Sequence, residues 1–458
     1  KVIFLEMLLK ISGKYSFNNS KLSCISLFIT LNNLLDCSIK PKLYILANKM
    51  DWQKFEVAFS PLYCLDNGRP AKPIRLMCGL LILKHIRNLS DESIVEQWSE
   101  NIYYQYFCGM NEIAQGAPCN ASELVHFRQR IGERGVELIF QESINVNGDD
   151  SNDPHVSIDT TVQEKNITYP TDDKLYKKII KKCIKIADKE GIILRQSYKR
   201  VVKKLSYDQR FRNHPRNKKK ARVADRKIKT IAGRLVRDLE RKLIAYSPHM
   251  ADLQLFKSVL AQCRTDKNKI YSLHEPEVQC ISKGKEHKKY EFGNKACIVH
   301  TQNTGVIVGA SFRNEYDGHT LEPTLDQRNR LLENIAKTAS VDRGCKGKSQ
   351  IGETKILIPK PFNDKTLTKY QQKKLRSHFR RRAAIEPIIG HLKSDHRLSR
   401  NFYKGIIGDN INVMLSAAAF NFKRMMNKWK SSFFGFFEII LNCFYNQFTI
   451  KDKSLQFK

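Results

Sequence analysis

From residue 51 to about residue 145, apolar positions recur every three or four residues, the spacing that lines one face of a helix. Pro73 to Arg87 (PIRLMCGLLILKHIR) predicts a core helix with Pro73 in its first turn. Ser90 stands where an N-cap belongs, and Asp91 and Glu92 bring negative charge to the first turn that follows. Ile94, Val95 and Trp98 then share one side of the next helix. After an aromatic run from Tyr103 to Cys108 and the loop AQGAPCN, a third helix is predicted from near Ser122. Leu124, Phe127 and Ile131 are spaced for its apolar face, with Arg128, Arg130 and Arg134 elsewhere. Such a run fits a helix-turn-helix whose basic last helix enters a DNA major groove, and equally an ordinary helical bundle with solvated arginines.

The pattern changes twice further on. KLYKKIIKKCIKIADKE and VADRKIKTIAGRLVRDLERKLIAY keep an apolar seam at helical spacing, separated by FRNHPRNKKKAR, which reads as a polar basic loop. From Lys289 onward, KACIVHT, GVIVGASF and ASVDR have the short, β-branched character of strands, and QNTG between the first two predicts a hairpin. The earlier VSIDTTV belongs with these strands. A basic helical insertion therefore interrupts one α/β domain, whose last part, Leu375 to Trp429, reads as mostly helical.

Charge sharpens that picture. The chain has 80 Lys and Arg against 46 Asp and Glu, a formal net charge of +34. Between Lys174 and Lys242 there are 26 basic and 6 acidic residues, a surplus too one-sided for a merely solubilising helix. A polyanion, above all nucleic acid, is the partner such a surface attracts, through sequence-independent and salt-sensitive phosphate contacts. The 12 cysteines are scattered without a CxxC pair, which argues against a zinc site or a disulfide framework and for a reducing, cytoplasmic compartment. Cys24 to Leu35 and Phe433 to Phe448 are too short or too polar to span a bilayer, so no membrane partner is expected. The chain starts with Lys1, and residues 1–40 lack clear punctuation; a fragment and an internal start at Met50 are both compatible with that.

Three acids stand in distinctive settings: Asp159 in VSIDTTV, Asp342 in SVDRGCKG and Glu386 in RRRAAIEPIIGHLK. Two aspartates at strand ends and a glutamate near a helix are the donor types that hold paired divalent cations for phosphodiester chemistry. Each also has an ordinary reading: a turn aspartate for Asp159 and Asp342, a salt-bridged surface glutamate for Glu386. Pro387 disfavours a continuous helix there, so a kink or a new helix at Pro387 is expected.

SIDTTVQEKNITYPTD, YSLHEPEVQCISKGKEHKKYEFGNKACIVHT and RAAIEPIIGHLKSDHRL together resemble transposases of the bacterial insertion sequence five group, over roughly residues 45–425. The resemblance implies an α/β ribonuclease-H-like catalytic domain with a basic helical insertion, preceded by an all-α DNA-binding domain. Its expected bounds are an atypical extension over 1–48, a helical DNA-binding domain over 49–150, a catalytic domain over 151–425 interrupted at 173–265, and an aromatic-rich tail over 426–458. It implies that Asp159, Asp342 and Glu386 form a DDE triad holding two Mg²⁺ ions, with Mn²⁺ able to substitute. Arg382 and Lys393 match the family's arginine and lysine around the glutamate, whereas Phe379 stands where a tyrosine is usual and Cys345 where an aromatic is usual. Arg128 and Arg130 in the head and Lys218, Lys219 and Lys220 in the insertion are the further DNA contacts expected. The implied function is metal-dependent cleavage and strand transfer at terminal inverted repeats by a homodimer on DNA. A DNA-binding relic without catalysis and a nuclease that never joins strands are the competing readings.

Overall fold

A computed structural model describes residues 42–454, except 65–67, 69, 244–246, 264, 283–288, 313–316, 346–348 and 360–367, and except the side chains of 317–319 and 430–454. The expected 1–40 segment and the Cys24 to Leu35 stretch lie outside it. The chain divides into two units, one from residues up to Gly148 and from Ala418 onward, the other Asp149–Ala417.

Among its described residues the first unit holds helices and no strand: α1 (Lys42–Lys49), α2 (Trp52–Phe59), α3 (Ile74–Ile86), α4 (Asp91–Glu100), α5 (Ile102–Phe107) and α6 (Ala121–Asn147). Every residue of α3 except Arg75 is buried, as a helix apolar all round must be. Pro73 is its N-cap, one position before the expected first turn. Ser90 caps α4 by accepting the Ser93 N–H. Asn120 and Glu123 form a capping box on α6, which bends at Gly132, where φ is 58°.

In α6 the apolar face holds Leu124, Phe127 and Ile131, but Arg128 lies on that face too and is 5% exposed. Its guanidinium donates to both Asp91 carboxylate oxygens at 2.7 and 2.8 Å, and the Lys84 ammonium meets the same carboxylate at 2.8 Å. This corrects the expectation of Arg128 as a DNA contact: position 128 is four on from Leu124, so the helical repeat turns it inward. Arg130 is exposed, with its guanidinium 4.2 Å over the Tyr63 ring.

The second unit is built on a mixed sheet. β1 (His155–Lys165) leads into the insertion, made of α7 (Asp172–Lys189), α8 (Lys199–Asp208), α9 (Pro215–Lys242) and α10 (Met250–Ala261). Then follow β2 (Gln279–Ser282), β3 (Tyr290–Thr301), β4 (Ile307–Phe312), α11 (Asp317–Leu332), β5 (Thr338–Ser340), β6 (Gln350–Ile351) and β7 (Thr354–Leu357). Last come α12 (Lys369–Arg382), α13 (Ile385–Asp395), β8 (Arg400–Asn401) and α14 (Gly405–Ser454). β1 is central: antiparallel to β3 on one side, parallel to β5 on the other, with β7 parallel beyond β5 and β4 antiparallel to β3.

The insertion has its own core, in which Ile179 and Cys183 of α7 meet Ile228, Leu235 and Leu239 of α9 and Phe256 of α10. The expected basic loop FRNHPRNKKKAR is instead largely the first turns of α9. Pro215 occupies N1, where its missing N–H costs nothing, the His214 ring accepts the Arg216 N–H, and buried Ala221 and Ala224 carry the seam down to Ile228. Lys218, Lys219 and Lys220 are therefore helical and exposed, and Lys220 pairs with Asp208 at 2.9 Å.

No helix among the described residues is long and apolar enough to cross a membrane.

Candidate active site

Strand alternation sets the site. Val156 and Ile158 of β1 join Val299, Ala339 and Val341 in an apolar cluster with Leu321 and Leu325 of α11. Ser157 and Asp159 must then point to the opposite face, where α12 and α13 pack on β1. On the parallel neighbour, Ser157 is opposite Ser340. Continuing that register by two residues brings Asp342, just past the end of β5, level with Asp159. The Asp342 carboxylate accepts the Gly344 N–H at 2.9 Å, and a Cβ at Gly344 would lie only 3.1 Å from the same oxygen. Glycine after Asp342-Arg343 therefore lets the loop fold onto the carboxylate. Cys345, at the aromatic position of the resemblance, is buried in the apolar cluster, while Phe379 is half-buried.

Arg382, the last residue of α12, reaches Asp159 with Nη2 3.2 Å from Oδ2, both side chains about one-fifth exposed at 18% and 20%. Its Nε is buried and has no hydrogen-bond partner among the described residues. The chain then breaks at Ala383 and Ala384, and α13 begins at Ile385, two residues earlier than a start at Pro387. Pro387 thus falls in a first turn, where no intrahelical donor is required. Glu386 is exposed, its backbone N–H donating to the Ala383 carbonyl at 3.3 Å. Because of the break, Arg382 does not share a helix with Glu386 and Lys393, which both ride on α13.

Beneath the aspartates lies a polar network that the linear pattern does not reveal. The Gln302 amide, in the turn after β3, donates to Ser157 Oγ at 3.0 Å and Ser340 Oγ at 2.9 Å. Its carbonyl oxygen lies 2.7 Å from His378 Nδ1 on α12. One buried side chain thereby ties together the two strands that carry Asp159 and Asp342 and the helix that ends in Arg382. Replacing Gln302 with leucine should destabilise the second unit by roughly 2–4 kcal/mol, since it strands three buried polar groups. Urea unfolding followed by far-UV circular dichroism measures this, and a change within about 0.5 kcal/mol would show the network to be incidental.

His300 is wholly buried on the same face, opposite Ser157. Burial, with the Arg382 charge adding to it, lowers its pKa to about 4. The unfolded imidazole takes its proton near 6.5, so between these values the unfolded chain binds more protons. Stability of the second unit should therefore fall as pH drops from about 6.5 to about 4. Urea midpoints at pH 7 and pH 5 test this, with His300→Asn expected to flatten the change.

Further along β1, the Lys165 ammonium lies 2.8 Å from buried Asp409 and 3.3 Å from Glu275. Asn294 and Asn401 donate to the same Asp409 carboxylate, fixing the start of α14 against β1 and β3.

Carboxylate oxygens are the donors a hard divalent cation prefers, and level aspartates on adjoining strands suit one. Among the described residues, however, no group of three His, Cys, Asp or Glu side chains is gathered closely enough to hold a metal ion. Asp159 and Asp342 thus fit in kind and register, while Glu386 does not close a three-carboxylate cluster with them.

Residues 32–130 match the family described as Transposase domain (DUF772), and residues 256–422 match the Transposase DDE domain. The second match takes in Asp342 and Glu386 and begins within α10, the last helix of the insertion, so Asp159 lies outside it and joins them through the sheet. An uncharacterised protein, ORF8 in the nfe locus of Rhizobium meliloti, is 41% identical over 189 residues, 40% of this chain and 91% of that protein. No solved structure matches the chain. A DDE domain implies a ribonuclease-H-like α/β fold, with which the mixed sheet and its flanking helices agree.

Proposed function

Because the chain belongs to the DDE transposase family, we propose that it is a transposase of the insertion sequence five group, acting on the terminal inverted repeats of its element. The supporting observation is the pairing of Asp159 with Arg382 on the sheet face opposite the apolar cluster, with Asp342 two residues beyond the last β1–β5 pair. Asp159 and Asp342 would hold the divalent ions, and the resemblance adds Glu386, which does not close a three-carboxylate cluster with them here. Such domains generally use ions like Mg²⁺, which activate an oxygen nucleophile and stabilise the leaving oxygen.

The chain's own residues have separable tasks. Asp159 would supply negative oxygens from β1 and Asp342 from the loop just past β5, and Arg382 is the counter-charge that Asp159 keeps in the structure. With divalent ions held by the aspartates, the Arg382 fork would be able to grip a phosphate in two places, which a lysine cannot do. Lys393, one side of α13 further on, adds a point charge for the terminal phosphates. Arg130 in the helical first unit and Lys218, Lys219 and Lys220 on α9 would add backbone contacts. Concerted cutting of two ends calls for two subunits on DNA, in the cytoplasm.

The test is an assay of the purified chain on a labelled element end with Mg²⁺ or Mn²⁺. Metal-dependent 3′ nicking with a joined product supports the transposase. Nicking without joining would make the protein a nuclease, and tight end binding without nicking would make it a relic.

A further inference from the structure

The insertion contains a cleft of about 480 Å³ between the α7–α8 connection and α9. Arg195 and Tyr198 line one wall, and Arg234, Arg237, Asp238, Glu240 and Arg241 the other. Both acids are already engaged: Asp238 with Arg241 at 3.7 Å and Lys242 at 3.1 Å, and Glu240 with Lys257. Among the described residues, Arg195, Arg234 and Arg237 form no ion pair. Three guanidiniums facing one concavity repel each other, and an oxyanion is the counter-charge that relieves this.

A second observation comes from the backbone. Gly233 sits within the 28-residue α9, where glycine costs about 1 kcal/mol of helix propensity against alanine. A Cβ there would lie 3.2 Å from Arg237 Nη1. The glycine gives the Arg237 guanidinium room to lie back over its own helix. The lysines of α7 are dispersed point charges, whereas these three arginines, exposed as well, line one concavity with planar forks, the geometry that suits phosphodiester oxygens.

We propose that this cleft is a seat for the phosphodiester backbone of duplex DNA, and that it, more than the insertion's open lysine faces, fixes DNA on the insertion. The inference rests on the transposase reading and names where its insertion grips.

The experiment measures binding of the full chain to a labelled duplex across a range of salt concentrations. The triple variant Arg195→Gln, Arg234→Gln, Arg237→Gln is compared with a charge-matched control on the exposed face of α7, Lys181→Gln, Lys185→Gln, Lys189→Gln. The cleft variant should lower the slope of log affinity against log salt by about 2–3, at roughly 0.9 per lost phosphate contact, and the control by under about 1. Arg195→Gln alone, on the connection outside α9, should lower it by about 1 and guards against a folding defect in the triple variant. Equal slopes in cleft and control variants would overturn the cleft while leaving the transposase reading intact. Failure of the unaltered chain to bind duplex at all would overturn both.

Discussion

Asp342→Asn should abolish metal-dependent nicking of the labelled element end, by roughly three orders of magnitude, while leaving the fold in place. The substitution is nearly isosteric, and the contact that Asp342 makes with the Gly344 N–H can be kept by the asparagine oxygen. Only the negative charge is lost. Asp342 is partly exposed just past β5, so no buried network depends on that charge, and the urea midpoint should move by no more than about 0.5 kcal/mol. Asp159→Asn should be equally inactive but should also release Arg382, which is seen as weaker retention of the element end if Arg382 then leaves its place on α12. Persistent nicking by Asp342→Asn at the unaltered rate would remove Asp342 from the ligand set and with it the pairing of Asp159 with the loop past β5.

Much of this site was legible because it is local. Alternation along VSIDTTV places Asp159 opposite the apolar face without any knowledge of partners, and Pro387 signals an interruption nearby, although the break itself falls at Ala383 and Ala384, between Arg382 and Glu386. The hairpin at QNTG follows from the same kind of reasoning, and β3 and β4 do pair. What stayed hidden depends on contacts far apart in the chain. Gln302 is 145 residues from Ser157 and 38 from Ser340, so nothing in its neighbourhood marks it as the bolt beneath the aspartates. The strands that complete the sheet, β2, β6, β7 and β8, have at most four residues each, too short for an alternating pattern to register. The start of α9 was hidden for a different reason. Its first turns are so polar that composition read as loop, although Pro215 at N1 and the Ala221–Ala224 seam were signals of a helix.

Asp91→Asn should cost the first unit roughly 3–5 kcal/mol, the largest stability effect expected from a single residue here. Arg128, far from being a solvent-facing DNA contact, and Lys84 are 5% and 2% exposed, and both direct their charge at this one carboxylate. Burial alone would raise the Asp91 pKa, but the Arg128 hydrogen bonds and the two cations outweigh it and hold the carboxyl below its ordinary value. A neutral amide would leave two buried cations facing each other across the α3, α4 and α6 contact. Adding Lys84→Met should return part of the loss, because one of those charges is then gone. All 3 tryptophans, Trp52, Trp98 and Trp429, belong to this unit, so fluorescence-detected urea unfolding reports on it selectively. A lowered carboxyl contributes stability that is complete above the ordinary carboxylate pKa and is lost as pH falls through the folded value. The gap between the unaltered chain and Asp91→Asn should accordingly be full at pH 7 and shrink below about pH 4. A gap that stays constant down to pH 3 would mean that packing, and not the charge of Asp91, holds α6 against α3 and α4.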